Sequence, residues 1–346
     1  MTTVRALGLI AAGAAATSLV ISAAPAQAAS SYVALGDSYS SGTGTRSYIA
    51  DGTSCQRSTF AYPSLLAASK GLALNFRACS GATIPDVTNT QLSALTSSTT
   101  HVTISVGGND AGFADVLTEC AMPGWASNCN GAIDAAQSFV NNVLPGKLST
   151  LYTSIRSKAP NAKVVVVGYP RIFMGEDCNA FTWFSPAEET RLNAMADLLN
   201  SKTSSAASAK GFSFANPTSR FIGHAVCDDV EWINGLSDPV SESYHPNKPG
   251  HSSGYAPTVS TPLTGSAFTL SATTSKRAAA SADRLAAQQR TYAAQDASIE
   301  PKEFRAPDLT TAAVKAAAAR AGVDLASRAS IDEADRVWSA RQTPTR

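Results

Sequence analysis

The chain has 346 residues, 44% of them hydrophobic and 15% charged, with 27 basic against 26 acidic side chains and a formal net charge of +1. Such a length and apolar content support a domain with a sizeable core. No Lys/Arg run is dense enough to suggest nucleic acid or an anionic membrane as a partner; the stretch 30–254 is mildly acidic and the remainder mildly basic.

Residues 1–28 read as a secretory leader: Arg5, an apolar stretch through Val20 and Ile21, then Ala26-Gln27-Ala28 as a small-x-small cleavage site. No other stretch is long and apolar enough to span a bilayer, so stable membrane insertion is not expected. The first strand is predicted over Ser31–Leu35, running into Gly36-Asp37-Ser38-Tyr39-Ser40-Ser41-Gly42. Pro63–Lys70 reads as a helix stopped by Gly71, and Leu72–Phe76 and Val102–Val106 as further strands. Ile133–Lys158 has helical spacing but is broken or restarted at Pro145. Lys163–Gly168 contains Val164-Val165-Val166-Val167, the unbroken apolar run of a strand buried on both faces. A helix over Pro186–Lys210 is capped by Ser185, with Glu188 and Glu189 in its first turn, and Phe212–Phe214 is the fifth strand. This alternation of strand and helix predicts an α/β fold with three α/β/α layers around a parallel sheet.

The six cysteines lie between Cys55 and Cys227. In an exported chain an even count favours three disulfides, with fifteen possible connectivities. Pairing of sequence neighbours (Cys55–Cys79, Cys120–Cys129, Cys178–Cys227) is the simplest choice, because each bridge closes a local loop. Neither Cys-x-x-Cys nor His-x-x-x-His spacing occurs, so no metal site is expected. Beyond 258 the composition shifts to alanine with scattered charge, and alanine buries too little area to build a core. Residues 29–258 are therefore the expected catalytic domain. Residues 259–346 are the expected tail, mostly disordered, with possible helices over Ala312–Ala326 and Asp332–Ser339.

Sites in parallel sheets form at the C-terminal ends of strands. Ser38 follows the first predicted strand, Gly81 the second and Asn109 the third, so three polar candidates converge on one rim. A serine hydroxyl needs a neutral imidazole as base and N–H donors for the developing oxyanion. Gly81 permits close backbone approach, and Asn109 in Gly107-Gly108-Asn109-Asp110 offers a side-chain donor. Taken alone, each reads more readily as an ordinary turn glycine or Asx-turn. Of the four histidines, His245 in Ser243-Tyr244-His245-Pro246-Asn247 is preferred, because the proline holds the backbone extended. His101 begins a strand, His224 has no evident partner, and His251 reads as a cap or surface residue. Gly250-His251-Ser252-Ser253-Gly254 matches a nucleophile elbow but lacks the preceding strand and a later histidine, so it is rejected.

These four segments together resemble the SGNH (GDSL-type) hydrolase family, in particular its secreted actinomycete lipases, esterases and phospholipases. The resemblance spans roughly residues 30–255 and puts Ser38 in the nucleophile's position, Gly81 and Asn109 with the Ser38 N–H in the oxyanion hole, and His245 as the base. It implies a flavodoxin-like fold with a central five-stranded parallel sheet, no cofactor, an acyl-serine intermediate and the same local cysteine pairing. The family commonly carries Asp three residues before the histidine, where this chain has Glu242. Either Glu242 or, in the preferred reading, the Ser243 main-chain carbonyl orients the imidazole. The expected protein is a secreted, extracellular, monomeric carboxylic-ester hydrolase acting on acyl lipids, with Phe113, Met122, Trp125, Phe173, Met174, Trp183 and Phe184 available to line an acyl groove. The alternatives are a carbohydrate acetyl esterase on the same scaffold and a non-catalytic secreted binding protein.

Overall fold

The computed structural model describes residues 1–4 and 29–342, so the expected leader, past its first four residues, lies outside the described residues. Strands β1 (Ser31–Gly36), β2 (Ala73–Phe76), β3 (His101–Ser105), β4 (Lys163–Val167) and β5 (Ser213–Ala215) form one parallel sheet in the order β2-β1-β3-β4-β5. This is the flavodoxin-like order, with its switch point beside β1. Val164 to Val167 are all buried, because helices cover both faces of the sheet. One helical layer contains Tyr62–Lys70 packed on Ala256–Thr264; the other contains Cys129–Asn142 and Leu144–Lys158 packed on Pro186–Ser208.

Local signals set the helix ends. Gly71 terminates Tyr62–Lys70 with a left-handed φ of 66°. Ser185 and Glu188 form a reciprocal capping box at the start of Pro186–Ser208. The helical run around Pro145 is split at Val143, which puts the proline in the first turn of Leu144–Lys158, where its missing N–H costs nothing. All three neighbour disulfides are formed: Cys55–Cys79, Cys120–Cys129 and Cys178–Cys227.

The C-terminal region departs from expectation. The boundary at 258 falls inside the helix Ala256–Thr264, whose Val259 and Leu263 are fully buried, so the catalytic layer extends to Thr264. Beyond it the chain is not mostly disordered. Helices Ala272–Ala280, Ala282–Arg290, Ala293–Asp296, Ala312–Ala321 and Arg328–Gln342 form an extension packed on the domain. Its scattered apolar side chains, Phe268, Leu285, Ile299, Phe304 and Val314 among them, are buried against the domain, and buried charge pairs add to them. Arg57 and Arg77 of the catalytic domain have fully buried guanidiniums, and Asp296 of the extension meets both at 2.7 Å. Gln289 accepts from Arg77 at 3.0 Å, and the Tyr292 ring lies 3.9 Å from the Arg77 guanidinium carbon. At the other end of the extension, the Trp338 ring occupies the space a Gly124 side chain would need, and Asp335 accepts the Gly124 N–H at 2.7 Å.

Candidate active site

The turn after β1 is fixed by sterics before any chemistry. Gly36 has φ +119°, and a methyl group there would lie 2.2 Å from the Ser105 carbonyl oxygen of β3, so a side chain is excluded. The buried Gln91 amide pins the same residue from both sides, accepting from the Gly36 N–H at 2.7 Å and donating to its carbonyl at 2.9 Å. Asp37 then caps the four-residue helix Ser38–Ser41 by accepting the Tyr39 N–H at 3.1 Å. Ser38 thus opens the helix rather than capping it. Burial pushes the Asp37 carboxyl up to about 7, opposed by the hydrogen bond that the Tyr169 hydroxyl donates to it. Tyr169 follows β4 and is held in turn by Asn200, which accepts its N–H at 2.8 Å and donates to its carbonyl at 2.7 Å.

His245 reaches Ser38 from a loop 207 residues away in sequence, with Nε2 2.9 Å from Oγ. Its Nδ1 lies 2.9 Å from the Ser243 carbonyl, an acceptor only, so Nδ1 carries the proton and Nε2 presents its lone pair to the serine. Glu242 makes no hydrogen bond to His245 among the described residues; it accepts from the Tyr48 hydroxyl at 2.7 Å and faces Arg46 at 3.7 Å. Desolvation lowers the His245 pKa to about 4, only partly offset by the Ser243 bond, so the ring is neutral at ordinary pH. The loop carrying it is clamped. Tyr244, at φ 60°, donates its N–H to Asn234 at 2.9 Å, and the Asn234 N–H donates to the His245 carbonyl at 2.9 Å. The Tyr39 hydroxyl donates to the Tyr244 carbonyl at 2.7 Å, joining the loop to the residue after Ser38.

Gly81 and Asn109 are drawn to the same rim through direct ties. The Cys79 N–H donates to the Gly36 carbonyl at 3.0 Å, and the Cys55–Cys79 bridge anchors the turn that ends at Gly81. Asn109 Nδ2 donates to the Ala82 carbonyl at 3.0 Å and Asp110 accepts the Ile84 N–H at 2.9 Å, so the Asn109 loop is tied to the Gly81 loop. One Asn109 amide hydrogen remains for a ligand. Among the described residues, the Ser38 and Gly81 N–H groups have no hydrogen-bond acceptor. The Ser38 and Asn109 donors line the same cleft as the serine hydroxyl and the neutral imidazole and suit a tetrahedral oxyanion, whereas Gly81 is not among the residues lining that cleft.

A cleft opens on Ser38 and His245, with walls that include Leu117, Ile172, Met195, Leu199, Tyr244 and Phe304. Of the seven aromatic and Met residues expected to line it, only Phe113 does. Phe173 and Phe184 pack on each other and on Tyr244 in the core with tilted and edge-on rings, and the Trp183 indole donates to Asp332 of the extension at 3.0 Å. Met195 and Leu199, four apart on Pro186–Ser208, carry the helical spacing that could have found them. Phe304 carries no such signal. Of the other histidines, His101 begins β3 as expected, and two differ from expectation. His251 is fully buried between Tyr62 and Tyr255, and His224 has a partner after all, stacking on Trp232 at 3.7 Å. Ser252, the elbow decoy, lies on the helical turn Gly250–Tyr255, away from any strand end.

The sequence profile of the GDSL-like lipase/acylhydrolase family matches residues 34–252, the span that holds every one of these site residues except those of the extension. Lipase 1 of Streptomyces coelicolor is 45% identical over 253 residues, which cover 72% of this chain and 93% of that protein. Among solved structures, an extracellular lipase from Streptomyces rimosus is 43% identical at a TM-score of 0.65, covering 68% of this chain and 100% of its own. A phospholipase A1 from Streptomyces albidoflavus NA297 matches with the same identity, TM-score and coverage. With its sheet order, its serine and histidine joined at one rim and these likenesses, the chain belongs to the GDSL-like lipase/acylhydrolase family and is a carboxylic-ester hydrolase.

Proposed function

We propose that the protein is a secreted hydrolase of acyl lipids working through an acyl-serine intermediate, and that Ser38 and His245 carry the chemistry. Neutral His245 takes the Ser38 proton on Nε2 as Oγ attacks the ester carbonyl, forming a tetrahedral intermediate. The Ser38 and Gly81 N–H groups and the free Asn109 amide hydrogen hold its oxyanion. Collapse expels the alcohol, which leaves with the proton from the imidazolium, and the acyl group stays on Oγ. Water then attacks the acyl-serine with His245 again as base, releasing the acid and restoring the enzyme. The Ser243 carbonyl holds the productive tautomer throughout and stabilises the imidazolium by accepting a hydrogen bond from its Nδ1–H.

The observation that carries this reading is the 2.9 Å contact between His245 Nε2 and Ser38 Oγ at the floor of an apolar cleft. Acyl lipids suit walls of Leu117, Ile172 and Met195, which offer no polar partners to a sugar. The 43%-identical phospholipase A1 supports including glycerophospholipid acyl esters among the substrates. Secretion is supported by the expected leader and by the three disulfides, which persist in oxidising compartments. No helix among the described residues is long and apolar enough to cross a membrane, and monomeric action is part of the proposal. The test is hydrolysis of triacylglycerol, phosphatidylcholine and acetylated xylan side by side, with Ser38→Ala as control. Activity confined to the xylan would overturn the lipid assignment, and activity surviving Ser38→Ala would overturn the mechanism.

A further inference from the structure

Part of the wall over the site comes from outside the family's matched span. The profile ends at residue 252, yet the backbone of Glu300–Lys302 lies directly on Gly81, where an added methyl would meet the Glu300 carbonyl oxygen at 2.5 Å and the Lys302 nitrogen at 2.9 Å. Two residues on, the Phe304 side chain enters the cleft. Only 4% exposed, it stands edge-on to Tyr244, the neighbour of His245, with ring centroids 4.8 Å apart at 82°. Both flanks of this strap are fastened. Upstream, Ile299 is buried and Asp296 is held by Arg57 and Arg77. Downstream, the Arg305 N–H donates to Thr118 at 3.0 Å, and the Arg305 guanidinium pairs with Asp115 at 3.0 Å. Thr118 and Asp115 belong to Phe113–Cys120, the helix that also gives Phe113 and Leu117 to the cleft. A segment fastened at both ends to the elements that frame the cleft is a wall, not a flap. Nor is it a plug. Among the described residues, no strap side chain hydrogen-bonds Ser38, Asn109 or His245, and the serine–imidazole contact is made beneath it.

We propose that the C-terminal extension completes the acyl-binding cleft and that Phe304 is a specificity-determining residue limiting the bulk of the acyl chain. This inference rests on the acyl-lipid reading above. Truncating the ring would open space between Tyr244 and the Phe113–Cys120 helix, which longer chains could fill, whereas enlarging it would close that space. The test uses the full-length enzyme and its Phe304→Ala, Phe304→Leu and Phe304→Trp variants on nitrophenyl esters from acetyl to palmitoyl. Thermal melts identify the variants that remain folded. The expected result for Phe304→Ala is a rise of about tenfold in the ratio of kcat/KM for dodecanoyl over butanoyl ester, carried mainly by KM. Phe304→Leu should shift the ratio the same way by less, and serves alone if the alanine variant does not fold; Phe304→Trp should lower it. An unchanged ratio in folded variants would overturn the proposal. So would an equal rise at every chain length, the mark of an inhibitory plug, or an equal fall, the mark of a purely structural residue. Loss of all activity in Ser38→Ala alongside a flat Phe304 series would leave the mechanism standing and remove this inference alone.

Discussion

Asp296→Asn is the perturbation that bears hardest on how this molecule is assembled. In the wild type, the guanidiniums of Arg57 and Arg77 and the carboxylate of Asp296 are all fully buried, and Asp51 pairs with Arg57 at 2.7 Å. Two cations therefore share two anions in a dry site. Arginine does not discharge by losing a proton at any ordinary pH, so the amide leaves one buried positive charge uncompensated. Polar contacts to the Thr90 carbonyl at 3.1 Å and to Gln289 at 3.0 Å remain, but they do not replace a charge. Removing one partner of a buried ion pair costs about 3–5 kcal/mol, on the order of a 10 °C fall in melting temperature for a domain of this size. The double variant Arg77→Met, Asp296→Leu removes one charge of each sign and leaves Arg57 with Asp51, so it should recover most of the loss. Melts followed by circular dichroism test both, with proteolysis mapping whether cuts appear after Thr264. A change of less than about 1 kcal/mol in Asp296→Asn would refute the reasoning and return the extension to the status of a loose tail.

Two further outcomes follow from the site. His245, lowered to about 4 by desolvation, should stay neutral well below the usual histidine range; the acid limb of kcat/KM on a short soluble ester should then fall with a midpoint near 4, and a midpoint at 6.5 or above would contradict the assigned environment. Because His245 and His251 (about 3) are held neutral in the fold but titrate near 6.5 when unfolded, the unfolded state gains protons first, so their contribution to stability is lost as pH falls from 6.5 toward 3. Rapid dilution from pH 7 into acidic assay buffer keeps that unfolding from distorting the rate profile. Glu242→Ala should leave kcat within a few-fold of wild type, since its carboxylate serves Tyr48 and Arg46 and not the imidazole; a collapse of several orders would instead make it the orienting residue.

The sheet was legible because its signals are local and periodic. Val164–Val167 reads as a strand buried on both faces from four consecutive residues, and each predicted strand end lies within two residues of its place in the fold. The rim of Ser38, Gly81 and Asn109 followed from where strands end, and His245 from its fixed Pro246 neighbour. What the sequence concealed was whatever depends on distant partners. Arg57 and Arg77 look like ordinary surface arginines until Asp296, 239 and 219 residues away, is seen to neutralise them. The extension's alanine-rich composition likewise hides the scattered Leu285, Ile299, Phe304 and Val314 that are buried on docking, and the Asp296 that pairs with both arginines. Loop aromatics are hard to place from sequence for a related reason. Phe173 and Phe184 carry no periodicity that says which side they face, and both turned to the core, while Phe304 entered the cleft. Gln91 and Asn200 carry no sequence signal, because a buried amide that mimics backbone pairing leaves no pattern in the chain.

The central claim is that Ser38, made nucleophilic by His245, is the residue that becomes acylated. Its most direct test is mass spectrometry of the chain after reaction with a nitrophenyl alkylphosphonate, in which Oγ displaces nitrophenolate at phosphorus and the adduct cannot be hydrolysed as an acyl-serine is. The account predicts one alkylphosphonyl group per chain, on the peptide containing Ser38, absent in Ser38→Ala and strongly slowed in His245→Ala. A label on any other residue, or one that persists in Ser38→Ala, would contradict it.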